Sequence, residues 1–338
     1  MIGNYFRPWG ELNWLIPKLR NVKWDLIGCI SPEDRFIATF LELEKAGKIN
    51  QSLFYTIIDP PSKDTSVIQT MINDNESKLI RSTKSGIKIE RHNLLEPYKE
   101  IVDSITNYLK TSSRNIIIDI STFPKRFFFP MVKILISYDL ENLVVAYSTP
   151  EKYSDHELSG NPYSWDHLPL FMPVDFPEPK IDVAIIGVGF MPFSLPELLL
   201  SQYNATPVKF LFPFPPGPPN YQRTWEFVRK IEKSFTFKLS DNIIRLDCNN
   251  MPDAFEYISR ETDGGEKRPI FAPYGPKPIS LAMCIYAILN DSPVYYTQPT
   301  HYNPEYSSGI KTTFAYSIVL NNKKLVLIYP LFLKSKGC

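Results

Sequence analysis

Short apolar runs alternate with longer amphipathic segments along most of the chain. In the first half, apolar runs at 25–30 and 53–58 predict buried strands, and the segment 33–45 between them has apolar residues at helical spacing. Further strands are predicted at 87–90, 115–120 and 143–147, and helices at 67–79, 97–109 and 127–138. Because parallel neighbours need crossover connections, this order predicts an α/β fold with a doubly wound, mainly parallel sheet.

The second half repeats this order after a stretch at 168–180 that holds four prolines. Proline disfavours helix interiors and central strands, so we place a domain junction there. The expected organisation is a Rossmann-like domain at 1–167, the junction, and a second Rossmann-like domain at 181–338. Strands of the second domain are predicted at 183–188, 208–212, 243–247, 270–272 and 294–297, and helices at 196–202, 222–234, 254–259 and 279–289.

A C-terminal β-hairpin is the last predicted element. The β-rich runs at 312–320 and 324–331 are separated by Asn321, Asn322 and Lys323, a composition typical of a turn. We expect this hairpin to cover an edge of the second sheet.

The two halves also share residues. The segment from Tyr147 to Gly160 aligns with the segment from Tyr296 to Gly309 at a constant offset of 149, with five identities over fourteen positions. Because both segments follow a strand and a helix of the same order, internal duplication explains the match better than chance does.

Composition and charge limit the class of ligand. The chain has 338 residues, 43% of them hydrophobic, which suits two globular domains. A formal net charge of +1 provides no global field toward duplex DNA or a membrane, so any anion binding must come from local lysines and arginines. This favours a small phosphorylated ligand.

The spacing of the cysteines and the pattern of the amino terminus indicate the cellular compartment of the protein. The four cysteines, Cys29, Cys248, Cys284 and Cys338, are scattered singly, which is typical of reduced thiols. The amino terminus lacks the uninterrupted apolar segment of a signal peptide, and no stretch approaches the roughly 18 to 20 apolar residues of a membrane span. We therefore expect a cytoplasmic protein.

Ligands of open parallel sheets bind beyond the carboxyl ends of the strands, so the first candidates follow the fourth strand of the first half. Asp119 and Ser121 can orient a hydroxyl group or cap the next helix, as can Thr122, while Lys125 and Arg126 can neutralise a phosphate at the helix start. The alternative is an ordinary helix cap followed by solvated basic residues.

The second half offers a corresponding loop. Tyr274, Gly275 and Lys277 lead from a strand into a helix, again with a lysine at its start, and Gly275 permits close approach of a ligand to the backbone. Gly187 and Gly189 supply two of the three glycines of a dinucleotide fingerprint, but a tight strand-to-helix turn explains them better than NAD binding.

Two tyrosines that open the repeated segments complete the candidate ligand-binding residues. Tyr147 and Tyr296 lie beside predicted strand ends, where their rings can stack on nucleobases. The alternative is that both are half-buried tyrosines at a domain interface, which is the more usual situation.

The pattern Asp119-x-Ser121-x-x-x-Lys125 after the fourth strand resembles the ligand-binding motif of CARF domains, the CRISPR-associated Rossmann fold sensors of cyclic oligonucleotides. The resemblance covers about residues 24–147 directly. It implies a role in prokaryotic antiviral defence and a ligand held across a two-fold axis, which two fused halves could imitate in one chain. The second half departs from the motif, with Pro273, Gly275 and Lys277 in the corresponding places.

Three hypotheses remain open from the sequence. The leading one is a sensor or regulatory protein that binds a nucleotide-type ligand between its halves and signals to a protein partner or effector. The second is a non-catalytic interaction subunit of a multi-protein assembly. The third is a ring-nuclease-like phosphodiesterase acting on a cyclic oligonucleotide. We predict no cofactor, no metal and no catalytic residue, since the histidines lack metal-ligand spacing and nucleophile motifs do not occur.

Overall fold

The contacts within the chain divide it into two units. A computed structural model describes residues 9–18, 22–83, 86–172, 180–214, 221–233 and 242–324. The first unit contains the described residues of Met1–Pro124, Ile134–Ser154 and Asn303–Cys338, and the second those of Lys125–Lys133 and Asp155–Tyr302. Both units therefore draw on separated stretches of sequence.

The first unit is built on a large, mostly parallel sheet. Its strands are β1 (Trp9–Glu11), β2 (Trp24–Ile30), β3 (Ile49–Ile58), β4 (Ile87–Asn93), β5 (Asn115–Asp119), β6 (Asn142–Ser148) and, near the C-terminus, β15 (Thr313–Leu320). Their order is β1-β15-β6-β5-β2-β3-β4. Strands β2 to β6 are parallel, whereas β15 is antiparallel to both β6 and β1. The strand order reverses between β2 and β5, which defines the crevice typical of Rossmann-like sheets.

Helices cover this sheet because the crossovers between parallel strands are helical. They are α1 (Leu12–Leu15), α2 (Ala38–Lys45), α3 (Thr65–Arg81) and α4 (Tyr98–Leu109), followed by α5 (Lys125–Ser137), of which residues 125–133 belong to the second unit and the rest to the first. Strands β2 and β6 are buried along their whole length, as expected for central strands covered on both faces. Trp24, Phe40 and Phe54 are fully buried in the core of this unit.

The second unit has a smaller sheet with the same order of strands. The strands β9 (Val183–Gly187), β10 (Val208–Phe214), β11 (Ile243–Asp247) and β12 (Pro269–Pro273) are parallel and lie in the order β11-β10-β9-β12. A parallel bridge between Phe271 and Val294 brings the chain that enters β13 (Tyr295–Tyr302) beside β12. The helices are α6 (Leu195–Gln202), α7 (Tyr221–Glu232), α8 (Met251–Glu261) and α9 (Lys277–Asn290).

One strand from each half of the sequence pairs with a strand from the other half. Strand β8 (Ser159–His167), from the first half, is antiparallel to β13, whereas β15, from the second half, is antiparallel to β6. Tyr147 pairs with Phe314, and Tyr296 pairs with Asp166. The offset of 149 residues maps Tyr296 onto Tyr147, and it places Asp166 within one residue of the equivalent of Phe314. The same strand pair is thus built twice, each time from both halves.

Each of the two repeated segments also contains a short strand. Strand β7 (Lys152–Tyr153) pairs with β14 (Ser307–Ser308) in the first unit, and β16 (Lys323–Lys324) begins the C-terminal hairpin with β15. Asn321 and Asn322 occupy the turn with positive φ angles of 49° and 63°, which asparagine tolerates well.

The predicted α/β architecture is confirmed, but its boundaries differ from those expected. Residues 159–167, predicted to close the first domain, lie in the second unit. The hairpin was expected on the second sheet, whereas β15 pairs with β6 of the first sheet. Both differences arise from the strand exchange. The central part of the predicted junction, 173–179, and the hairpin residues 325–331 lie outside the described residues.

Within the ranges given above, no helix is both long and apolar enough to cross a membrane.

The pairing of β15 with β6 predicts how a substitution on β15 changes the free energy of unfolding. Ala315 on β15 is fully buried in the core of the first unit, opposite Ala146 of β6. Ala315→Asp places a carboxylate there and should lower the free energy of unfolding by several kcal/mol, about 3 or more. Urea unfolding followed by circular dichroism measures this. Lys311→Ala, at an exposed position just before β15, is the matched control, and equal stability of the two variants would contradict the exchange.

Candidate functional site

The candidate site lies where β9 and β12 of the second unit end side by side. These two parallel strands flank the point at which the strand order reverses, as in the order β11-β10-β9-β12. In open α/β sheets the loops leaving such a pair of strands form the ligand crevice. Here these loops are 188–194, which enters α6, and 274–276, which enters α9.

Glycines bring the two loops into direct contact. A Cβ atom on Gly189 would collide with the carbonyl oxygen of Tyr274, and one on Gly275 would lie 3.0 Å from the carbonyl oxygen of Val188. A Cβ on Gly187 would lie 3.3 Å from the backbone nitrogen of Gly275. The three glycines therefore allow backbone to pack on backbone. This gives Gly189 and Gly275 a structural role that the sequence interpretation, approach of a ligand, did not include.

A hydroxyl network fixes the position of Tyr274. Its hydroxyl group lies 2.8 Å from the Oγ1 of Thr297 on β13 and accepts a hydrogen bond from the Thr297 backbone N–H at 3.3 Å. The Oγ1 of Thr297 lies in turn 3.0 Å from the Oγ of Ser194, at the end of the other loop. Burial raises the pKa of Tyr274 well above its ordinary value, so this hydroxyl keeps its proton at neutral pH.

Tyr296 extends this network into an aromatic surface. The ring centroids of Tyr274 and Tyr296 are 5.3 Å apart, and both side chains are half-buried. The Nζ of Lys125, the first residue of α5, lies 5.1 Å from the centroid of the Tyr296 ring. This is within the range of a cation–π interaction. An amine and two aromatic rings thus adjoin each other in the second unit.

Lys125 is unusual for a lysine. Its side chain is half-buried, and within the described part of the chain it has no ion-pair partner. Burial, which disfavours the charged amine, lowers the pKa of Lys125 to about 7. The charged form of this amine is therefore less favoured than that of an exposed lysine.

Two helices in the second unit start with the same unfavourable arrangement. Helix α5 begins Pro124-Lys125 and α9 begins Pro276-Lys277, and neither helix has a side-chain cap or an acidic residue in its first turn. A cation at the positive end of a helix dipole is destabilising by about 0.3–1 kcal/mol. By contrast, α4 begins at Tyr98 after Pro97, and its first turn holds Glu100 next to Lys99. Uncapped helix starts that carry lysine are suited to an anion.

The acidic and hydroxyl residues of the motif lie in the first unit and are used internally. One carboxylate oxygen of Asp119 accepts hydrogen bonds from the backbone N–H of Ser121, at 2.8 Å, and from its hydroxyl group. The Ser121 Oγ also accepts from the Ser148 backbone N–H at 2.7 Å, and Thr122 donates to the Cys29 carbonyl at 2.6 Å. Asp119 and Ser121 are 3% and 1% exposed, so their observed role is to shape the loop after β5.

The structure therefore brings together only part of the predicted set. Six predicted residues lie at the crevice of the second unit: Gly189, Tyr274, Gly275, Lys277, Tyr296 and Lys125. Arg126 is the second residue of α5 and is half-buried. Tyr147 belongs to the first unit, where its hydroxyl group lies 3.4 Å from that of Tyr153 and its ring lies 5.7 Å from the guanidinium of Arg35.

Sequence reasoning missed the polar cluster at the crevice of the first unit. Arg35, 3% exposed, donates to the Oε2 of Glu33 at 2.9 Å and to the Ser148 carbonyl at 3.2 Å. The same Glu33 oxygen accepts from the hydroxyl group of Ser307 on β14. The charged run 33–35 directly after a buried strand was the available signal. Thr297 and Ser194 were also missed, because a single hydroxyl residue carries no pattern.

Comparisons with known proteins leave the family open. No family model and no curated protein matches the chain. Among solved structures, one described as a universal stress protein from Pseudomonas aeruginosa covers 84% of this chain and 95% of its own, at 8% identity and a TM-score of 0.24. Similarity at that level carries no argument about function, so the site must be judged on its own geometry.

The packing of the loops predicts the effect of enlarging a glycine. Gly189→Ala should destabilise the protein by about 1–3 kcal/mol, because its Cβ meets backbone that no side-chain rotation can move. Gly160→Ala is the control, since a Cβ at that position has no atom within 4 Å. Differential scanning calorimetry of both variants measures the change, and unaltered melting of Gly189→Ala would refute the close approach of the loops.

Burial of Lys125 predicts a gain in stability on its removal. Its folded pKa of about 7 lies below the ordinary lysine value of 10.5, so the unfolded chain binds more protons between these limits. The penalty is therefore fully present below pH 7 and declines as the pH rises. Lys125→Met should raise the Tm more at about pH 6.5 than at about pH 9.5. Lys99→Met, at an exposed position, should show no such trend, and a pH-independent effect of Lys125→Met would argue against the buried amine.

Proposed function

We propose that this protein is a sensor or regulatory protein that binds a phosphorylated, nucleotide-type ligand at the crevice of its second unit. The observation that carries the proposal is the pair of uncapped, lysine-bearing helix starts, one of which places its amine against a tyrosine ring of an aromatic pair. Phosphate and nucleobase are the two ligand parts that such a surface recognises.

The helix starts would supply the phosphate subsite. The first backbone N–H groups of a helix have no partner within the helix, and together with the positive end of the dipole they favour an anion at such a start. A lysine at the positive end of a helix is unfavourable by itself, and a phosphate bound there would interact favourably with both the lysine and the helix end. Lys277 is half-buried like Lys125, so both amines would act in a medium less polar than bulk water.

The tyrosines would supply the base subsite. Tyr296 and Tyr274 present half-buried rings, and the hydrogen bonds of Tyr274 to Thr297 hold its ring in place before a ligand arrives. Stacking of a base on an aromatic side chain contributes about 1–3 kcal/mol and tolerates different bases. A preorganised ring loses little entropy on binding, which supports recognition of a flat base.

The ligand class comes from the CARF resemblance, which implies a cyclic oligonucleotide. In this proposal the protein acts in the cytoplasm, within prokaryotic antiviral defence, and passes the signal to a protein partner or effector. The resemblance bears on the site through Lys125, because Asp119 and Ser121 serve the loop of the first unit. Binding between the two halves stays a prediction.

Removal of both amines tests the proposal. The double variant Lys125→Ala and Lys277→Ala should bind a phosphorylated probe at least tenfold more weakly, since two charge-assisted contacts contribute about 1.5–3 kcal/mol each. Isothermal titration calorimetry with cyclic tetraadenylate, adenosine 5′-triphosphate and inorganic phosphate measures the affinity. Circular dichroism confirms that the variant is folded.

Lys99→Ala is the matched control, because Lys99 also lies in the first turn of a helix that follows a proline. It should bind like the unaltered protein. Equal affinity of the folded double variant and the control would refute the proposed site. A complete lack of binding by the unaltered protein to all three probes would instead favour the interaction-subunit hypothesis.

A further inference from the structure

We infer that Tyr274 is a positioning residue of the second-unit crevice: its hydroxyl group holds the backbone of β13 and thereby orients the ring of Tyr296, on which a base would stack. The inference rests on the proposed function and names the residue on which its base subsite depends. Its basis is a hydrogen bond that the chain builds twice, once in each unit.

A buried backbone N–H group takes part in this bond in each unit. In the first unit Ser148, the last residue of β6, donates its N–H to the Oγ of Ser121 at 2.7 Å. In the second unit Thr297 on β13 donates its N–H to the hydroxyl group of Tyr274 at 3.3 Å. Ser148 and Thr297 are both fully buried, so neither N–H can bond to water when its partner is removed.

The two bonds occupy equivalent places in the fold. Thr297 follows Ser148 by 149 residues, which is the offset of the repeated segments. In both units the acceptor lies on the loop that leaves the neighbouring parallel strand, β5 in the first unit and β12 in the second. Ser121 is the second residue after β5, and Tyr274 is the first after β12. A short and a long side chain therefore bring a hydroxyl group to the equivalent backbone atom.

The residue before the bonded N–H is a tyrosine in both units, and a cation lies near its ring. The guanidinium of Arg35 is 5.7 Å from the ring centroid of Tyr147, and the Nζ of Lys125 is 5.1 Å from that of Tyr296. Because the peptide bond is planar, holding the N–H of Thr297 also holds the carbonyl group of Tyr296. Since backbone angles decide which rotamers a side chain can adopt, the bond orients the ring of the preceding tyrosine.

The two tyrosines differ in exposure. Tyr147 is 4% exposed, and its hydroxyl group lies 3.4 Å from that of Tyr153. Tyr296 is half-buried, and its ring centroid lies 5.3 Å from that of Tyr274. Tyr274 therefore combines the backbone bond that Ser121 makes in the first unit with an aromatic ring beside the stacking surface. The base would stack in the second unit, where the oriented ring is accessible.

Tyr274→Phe tests the inference, because it removes the hydroxyl group and keeps the ring. In spectra of deuterated, 15N-labelled protein, the Thr297 amide should exchange with solvent about tenfold faster or more, since its N–H loses its partner. The affinity for the adenine-containing probes, cyclic tetraadenylate and adenosine 5′-triphosphate, should fall about fivefold in the same variant. The affinity for inorganic phosphate should not change, because phosphate does not stack on a ring.

Ser121→Ala is the matched control, since it removes the equivalent acceptor in the first unit. It should speed the exchange of the Ser148 amide by a similar factor and leave the Thr297 amide and the affinity for all three probes unaltered. Unchanged exchange of Thr297 in Tyr274→Phe, or unchanged affinity for the adenine-containing probes, would overturn the inference and leave the proposed function intact. Binding of phosphate alone by the unaltered protein would also overturn it. Binding of none of the probes would refute the proposed function, and the inference with it.

Thr297→Val covers the case in which Tyr274→Phe does not fold. Valine keeps the backbone N–H and a similar shape, and it removes the Oγ1 that lies 2.8 Å from the Tyr274 hydroxyl group. Tyr274 then keeps one of its two bonds to β13, so the affinity for the adenine-containing probes should fall about two- to threefold. Exchange of the residue 297 amide should stay slow. An unaltered affinity of this folded variant would overturn the inference.

Discussion

The antiparallel pairing of β15 with β6, and of β8 with β13, is the constraint on which the rest of the structure depends. Strand β6 is buried along its full length, so without β15 its outer edge would leave backbone N–H and C=O groups unpaired in an apolar environment. The strand that satisfies them arrives more than 160 residues later in the chain, as in the contact between Ser148 and Thr313. Neither half can therefore complete its own sheet.

Polar contacts fasten the exchanged segment to the first unit at the same place. Glu33 accepts from Ser307, and Asp34 accepts from the backbone N–H of Gly309 at 3.0 Å. Arg35 holds Glu33 from the other side and reaches the end of β6 through the Ser148 carbonyl. Breaking one member of such a buried set leaves another charge or donor unpaired, which costs far more than the contact contributes. At the crevice of the first unit these polar groups therefore bond to one another.

The sequence predicted the central strands well because local pattern determines them. Runs such as 115–120 and 183–188 are continuously apolar, and a strand buried on both faces needs nothing more. Strand β8 was missed because it contains Pro162 and polar residues without alternation, so that its partner β13 decides its conformation. The unit boundaries were missed for the same reason, since strand exchange depends on contacts between residues far apart in sequence. At the site, Lys125 and Lys277 could be found by position, but the contact of Lys125 with Tyr296 required the tertiary structure.

The residues of the predicted motif differ in what surrounds them in the structure. Asp119 and Ser121 match the motif in type and spacing, and one carboxylate oxygen of Asp119 accepts both the backbone N–H and the hydroxyl group of Ser121. Lys125 instead accumulates unfavourable features: burial, the positive end of a helix and no counter-charge among the described residues. Methionine or leucine would pack in place of Lys125 without burying an amine. Selection for stability alone would therefore not retain this lysine. Because unfavourable features of this kind are typical of functional positions, they support the role proposed for Lys125.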